Sequence, residues 1–280
     1  MKKVKMLGLL VVMLLLAGIF PVKTYAAGWI QGDNGLWWYQ HEDESYTTSG
    51  WETIGGKNYY FDEAGRMKTG WLKLENTWYY LSIYGDMQTG WKNIGGAWYY
   101  LKEDGAMLTG WQNIGNNRFY LDGSGAMYTG WLKLGNNWYY MNNSGAMLRG
   151  WQSIGGAWYY LNDDGVMLTG WQKIGNNWFY LNGSGAMTTG WQNVGGTWYY
   201  MNNSGAMLTG WQVIGGAWYY LDGSGAMHTG WIRLGETWYY LTASGAMAAN
   251  TWIGSYYVDE NGAWIPGKVR SKIIAIDAGH

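Results

Sequence analysis

The chain has 280 residues, among them 23 Trp, 25 Tyr, 4 Phe and 46 Gly, with 13% charged residues, two prolines and a formal charge of -1. A disordered chain is rich in charge and poor in aromatics, and collagen needs glycine at every third residue with abundant proline, so both classes are excluded. The charge balance leaves no basic footprint for nucleic acid, and the lack of cysteine excludes a disulfide framework and any thiolate metal site.

The first element is a targeting segment. Lys2, Lys3 and Lys5 precede a 15-residue apolar run from Met6 to Phe20, followed by Pro21 and Thr24-Tyr25-Ala26-Ala27. A charged start, a short apolar stretch and a small residue at the cleavage point make residues 1–26 a secretory signal peptide. A spanning helix needs about 20 apolar residues, so no stable membrane span is expected, and the mature chain is expected to be secreted.

Residues 27–267 form a repeat array. From Trp51 to Trp231 a Gly-Trp pair recurs every 20 residues, and from Met67 to Met247 a methionine recurs with the same period. The unit reads G-W-x-x-I/L-G-G/N-x-W-Y-Y-L-x-x-x-G-A-M-x-T. With an imperfect unit at Trp29 and a shortened one near Trp252, about 12 hairpin units are expected.

Each unit predicts two short strands. Trp71-Leu72-Lys73-Leu74 and Thr77-Trp78-Tyr79-Tyr80-Leu81 have strand composition. Gly95-Gly96 and Gly115-Asn116-Asn117 suit the hairpin turn, and Asn142-Asn143-Ser144-Gly145 suits a second turn into the next unit. A lone hairpin is marginal in water, so the units must stack. The expected fold is all-β, an elongated solenoid of hairpins stabilised by nearest neighbours.

Alternation along a strand puts Trp78 and Tyr80 on one face and Tyr79 and Leu81 on the other. One face is expected to be buried together with Leu74, Ile94 and Ile114. The other carries a repeated set of Trp, Trp and Tyr with a Met nearby. These rings could all be core, since aromatics fit pleated surfaces. They could also box in a quaternary ammonium, which donates no hydrogen bonds and is held by ring faces, or stack on sugars.

The units beginning at Gly190 and Gly210, G-W-Q-N-V-G-G-T-W-Y-Y-M-N-N-S-G-A-M-L-T and G-W-Q-V-I-G-G-A-W-Y-Y-L-D-G-S-G-A-M-H-T, resemble the choline-binding, or cell-wall-binding, repeats of surface proteins from Gram-positive bacteria and their phages. The resemblance implies a left-handed superhelix with choline held between consecutive units. It implies a cage made by the Trp after Gly, the Trp of W-Y-Y and the second Tyr of the next W-Y-Y. Carried onto this chain, the cages are Trp71, Trp78 and Tyr100; Trp91, Trp98 and Tyr120; Trp131, Trp138 and Tyr160; Trp151, Trp158 and Tyr180; Trp171, Trp178 and Tyr200; Trp191, Trp198 and Tyr220; and Trp211, Trp218 and Tyr240. Asn58 and Arg118 stand where Trp is expected, so the sets at Trp51 and Trp111 are incomplete. Thr251 takes the Trp place in the last unit, and a set at Trp231 and Trp238 would depend on Tyr257.

The implied partner is choline-bearing teichoic or lipoteichoic acid, with peptidoglycan as a further contact and the cell wall or surface as location. Similar repeats in extracellular glucosyltransferases and clostridial toxins bind carbohydrate, so a glucan-binding adhesin without enzymatic activity remains the alternative.

Residues 268–280 differ in composition. Ile273-Ile274-Ala275-Ile276 reads as a buried strand, and Ile276-Asp277-Ala278-Gly279-His280 resembles the opening of zinc N-acetylmuramoyl-L-alanine amidases, in which the His of I-D-x-G-H is the first metal ligand. The resemblance implies a longer parent hydrolase, with His280 ligating zinc and the array as its targeting part. The chain as given offers no catalytic residues and needs no cofactor. Catalytic zinc requires three protein ligands, and His41 and His228 have no ligand spacing.

Overall fold

The computed structural model describes residues 26–270, so the signal-peptide segment apart from Ala26, and the amidase-like segment from Ser271 on, lie outside the described residues. All regular elements among them are β-strands, forming twelve two-stranded sheets in chain order, from Gly28–Gln31 with Trp37–Gln40 to Thr251–Ile253 with Tyr256–Val258. No helix there is long and apolar enough to cross a membrane.

The strand Gly90–Ile94 pairs antiparallel with Ala97–Leu101, setting Trp91 opposite Tyr100 and Asn93 opposite Trp98. Their turn is Gly95-Gly96, with φ of 62° and 89°. Two consecutive left-handed residues match the right-handed twist of a hairpin, which only glycine adopts without strain. The same register recurs 60, 80, 100 and 120 residues on, where Trp151, Trp171, Trp191 and Trp211 face Tyr160, Tyr180, Tyr200 and Tyr220.

The described chain divides into two units, one running to Leu132 and including Tyr140–Met147, the other comprising Lys133–Tyr139 and the residues from Leu148 on. Both are built by the same stitch. In the first, the Met107 amide after one hairpin donates to the Trp78 carbonyl of the hairpin before it at 2.8 Å, while Leu108 donates to Tyr100 of its own hairpin at 3.0 Å. In the second, Met207 donates to Trp178 at 2.8 Å and Leu208 to Tyr200 at 2.9 Å. Each connector therefore ties consecutive hairpins through their backbones, which satisfies edge groups a lone hairpin would leave to water.

The most deeply buried side chains recur once per hairpin. Leu81, Leu101, Leu121, Leu161, Leu181, Leu221 and Leu241, with Phe61, Met141, Met201 and Val258 at equivalent places, are fully buried. These are the residues after the W-Y-Y triplet. Leu74, Ile94 and Ile114, expected in the core, are only half-buried. They lie beside the hairpin turn, whereas Leu101 lies opposite Gly90 and bridges to Met107, so the connector closes over it.

The glycine of G-A-M has a packing reason. At Gly125 φ is +85°, and a Cβ there would fall 2.4 Å from the sulfur of Met107 in the preceding connector. The same clash recurs at Gly105 with Met87 and at Gly225 with Met207, at 2.4 and 2.3 Å. Glycine is thus required by its conformation and by the methionine it covers.

The connector turn is held by an Asp or Asn. Asp222 Oδ1 accepts from the Ser224 hydroxyl at 2.6 Å, the Ser224 amide at 2.7 Å and the Ala226 amide at 3.1 Å. The Ser224 hydroxyl, aided by these amides and opposed by partial burial, holds the Asp222 carboxyl below its ordinary value of 3.8. A depressed folded value gives stability that is complete above the ordinary value and is lost as pH falls through the folded one. Asn202 fills the same role with Oδ1 2.9 Å from the Ser204 amide and 3.0 Å from that of Ala206. Asp222→Asn is therefore expected to leave stability at neutral pH almost unchanged and to make the acid loss below about pH 4 shallower. Denaturant unfolding of both proteins across pH checks this, and identical acid limbs would refute it.

Candidate functional site

The stacking sets opposite faces of consecutive hairpins against each other. Trp71 and Tyr80 are cross-strand partners on one face of their hairpin, with ring centroids 5.1 Å apart. Trp78 stands nearly perpendicular to Trp71, at 6.2 Å and 87°. The ring that closes the corner from the next hairpin is Tyr99, 4.8 Å from Trp71 at 69°. Met107 joins them, brought in by the amide that donates to the Trp78 carbonyl. Trp71, Trp78, Tyr99 and Met107 thus line, together with Ser124, an open cavity of about 220 Å³.

This corrects the third ring of the expected cages. Tyr100 lies 5.2 Å from Trp91 of its own hairpin, and Tyr120, Tyr160, Tyr180, Tyr200, Tyr220 and Tyr240 likewise face Trp111, Trp151, Trp171, Trp191, Trp211 and Trp231. The ring reaching back to the preceding Trp is the first aromatic of the triplet. Trp171 meets Tyr199 at 4.7 Å, Trp191 meets Tyr219 at 4.9 Å and Trp211 meets Tyr239 at 5.0 Å. Trp91 meets Phe119, and Trp151 meets Phe179, both at 4.9 Å. The expected face-sharing of Trp78 and Tyr80 is correct within a hairpin. Between hairpins, unlike faces meet: the face of one that carries Tyr99 lies on the face of the one before that carries Trp71.

The two tryptophans remain together in four of the expected sets, Trp71 with Trp78 among them. Trp171 lies 6.4 Å from Trp178, Trp191 6.4 Å from Trp198 and Trp211 6.2 Å from Trp218, all near 85°. Trp98 and Trp158 hold the equivalent register. Trp131 and Trp138 belong to different units; Trp131 lies 5.0 Å from Tyr140, and the Lys133 ammonium lies 5.5 Å from the Trp138 ring.

Burial decides between core and surface. The W-Y-Y tryptophans from Trp138 to Trp238 are 38–48% exposed, while the fully buried row consists of Leu, Phe, Met and Val. The second Trp is therefore a wall open to solvent, outside the core.

Three places depart from the pattern. The Arg118 guanidinium lies 4.4 Å from the Trp111 ring, so the chain's own cation occupies that ring face. At the amino end Trp29 meets Tyr59 at 4.8 Å, and the Met67 amide donates to Trp37 at 2.8 Å. This set was not expected from the sequence, because a longer turn moves its second Trp one place out of period. At the carboxyl end Trp252, and not Thr251, faces Tyr257, so the period slips there by one residue. The Lys268 ammonium lies 3.3 Å from the Tyr257 ring centroid, and the Arg270 guanidinium 5.8 Å from that of Trp252.

Comparison with known proteins is decisive for the family. The model of the choline-binding repeat matches residues 48–87, 88–129, 108–149, 148–189, 188–227 and 208–252. The chain belongs to the choline-binding repeat family. Solved structures agree. CbpJ from Streptococcus pneumoniae is 35% identical, with 86% of this chain and all of that one covered at a TM-score of 0.67. Choline binding protein F from the same species is 33% identical over 85% of this chain and 98% of its own, at 0.62. The S. pneumoniae autolysin LytC, solved in complex with a synthetic peptidoglycan ligand, is 30% identical over 80% of this chain and 52% of its own, at 0.53. No curated protein matches the chain. The choline-binding repeats matched here stop at residue 252, before the last ring set is complete.

Proposed function

We propose that this chain is a secreted cell-wall-binding module that holds choline groups of teichoic or lipoteichoic acid in its ring corners. The observation that carries the reading is the corner of Trp71, Trp78, Tyr99 and Met107, which has aromatic walls, a thioether and no carboxylate. Perpendicular rings surround a point, as a compact trimethylammonium requires, whereas a sugar stacks on one flat open face. Each ring face is worth about 0.5–2 kcal/mol to a cation, so a three-ring corner gives roughly millimolar affinity. Repetition along a polymer carrying many cholines converts weak sites into firm attachment through effective concentration. That gives the array a reason for its length.

Calorimetry on residues 27–267 with choline and with glucan oligosaccharides tests the reading. Saturable heat with choline in the range of about 1–10 mM is expected. Heat with glucan alone would replace choline by carbohydrate as the ligand.

The module is further proposed as the targeting part of a peptidoglycan amidase. This part rests on the resemblance of the segment ending in His280, with zinc as the cofactor of that catalytic domain. Among the described residues no group of His, Asp and Glu could hold a metal ion, so the array itself does not fit zinc and no chemical step is assigned to it. The reading frame beyond His280 is the test. A domain-sized extension with a further His and Glu is expected, and an immediate stop codon in the natural gene would refute it.

A further inference from the structure

The last ring set differs from the regular ones in composition, and from the corner at Trp71 in size. Its first three members follow the pattern, with Trp231, Trp238 and Tyr256, and Trp231 meets Tyr256 at 5.5 Å and 81°. The fourth is Trp264. Its amide donates to the Trp238 carbonyl at 2.9 Å, the bond by which Met247 is tied to Trp218 at 2.7 Å. Val258 bridges to Trp264 as Leu241 bridges to Met247. The shortened final hairpin thus keeps the stitch and delivers an indole where every regular unit delivers a thioether.

The result is a cavity lined by Trp231, Trp238, Tyr256 and Trp264, with Tyr256 and Trp264 5.9 Å apart at 79°. Its volume is about 430 Å³, against about 220 Å³ at Trp71, Trp78, Tyr99 and Met107. Four rings around a wider space change the ligand that fits. A trimethylammonium group in the larger cavity leaves ring surface without a contact partner, and those contacts are lost. A cation bearing an additional apolar or aromatic group can present its charge to ring faces and its apolar part to the remaining wall. Cavities of this size are in the range that holds organic ligands of moderate size.

The geometry points to a second class of binding site at the carboxyl end of the array, selective for bulky quaternary ammonium ions, with Trp264 as the residue that sets the selectivity. It rests on the quaternary-ammonium reading of the ring corners. The regular Met-lined sites take small cations, and the Trp264 site takes one large cation per chain.

The test is titration of the full chain with tetramethylammonium and with benzyltrimethylammonium, repeated for Trp264→Met and Trp264→Phe, with circular dichroism to verify folding. For benzyltrimethylammonium a two-class isotherm is expected, with one site per chain about tenfold tighter than the rest, as expected for an added ring contact. Trp264→Met should abolish the tight class and leave the weaker class that the other ring corners provide, and Trp264→Phe should retain part of the tight class. Tetramethylammonium binding together with a single class for the bulky cation, or a tight class that survives Trp264→Met, overturns the inference alone. Failure of both cations to bind overturns the quaternary-ammonium reading and the inference with it.

Discussion

Trp178→Ala is expected to remove one cation site while the chain keeps its fold. Trp178 is 42% exposed and stands 6.4 Å from Trp171, with Tyr199 closing the corner 4.7 Å from Trp171. Its part in the stitch is its carbonyl, which accepts the Met207 amide, and alanine retains that bond. The ring supplies one wall of the corner, so its loss should weaken that site by about 1–2 kcal/mol, or roughly 5- to 30-fold. Calorimetry with choline should therefore show the fitted number of sites reduced by one. Cooperative collapse of the hairpin in the same variant would instead make Trp178 a core residue.

Leu181→Ala should do the opposite. Leu181 has no exposed surface, lies opposite Gly170 and is bridged by Met187. Deleting a buried leucine costs about 2–5 kcal/mol, depending on how far the site can collapse. Collapse is restricted here, because the backbone on one side is fixed by hairpin pairing and on the other by the connector. In a stack stabilised by nearest neighbours the loss should concentrate in the adjoining hairpins. Denaturant unfolding with hydrogen exchange checks it: faster exchange centred on the hairpin Gly170–Ile174 with Asn177–Leu181 is expected. A cost no larger than that of Trp178→Ala would show that the tryptophans carry as much of the core as the leucine row.

The two variants separate roles that composition alone leaves mixed. Leu101 and Trp98 lie three residues apart on one strand, yet one is fully buried and the other 45% exposed. Alternation accounts for their opposite faces. It does not separate Ile94 from Leu101, which share a face: Ile94 stays half-buried because it lies beside the turn, while the connector closes over Leu101 at the other end of the hairpin.

The repeat period, the hairpin boundaries, the glycine turns and the paired tryptophans were legible in the sequence, because they follow from local conformational preference and strand alternation. Gly95-Gly96 announces its turn, and Trp71 and Trp78 announce a shared face. The third ring was not legible. Tyr79 and Tyr80 are adjacent and chemically identical, and parity places them on opposite faces without saying which face meets the preceding hairpin. One sequence signal was available: Phe119 and Phe179 stand only at the first position of the pair, where a ring matters and a hydroxyl does not. Asn58 and Arg118 were readable as departures, whereas the place of Trp264 follows only from its amide on the Trp238 carbonyl. Local chemistry thus determined the hairpin and the kinds of side chain it displays. The stacking of unlike faces decided which rings meet, because that depends on backbone bonds between hairpins 20 or more residues apart in the chain.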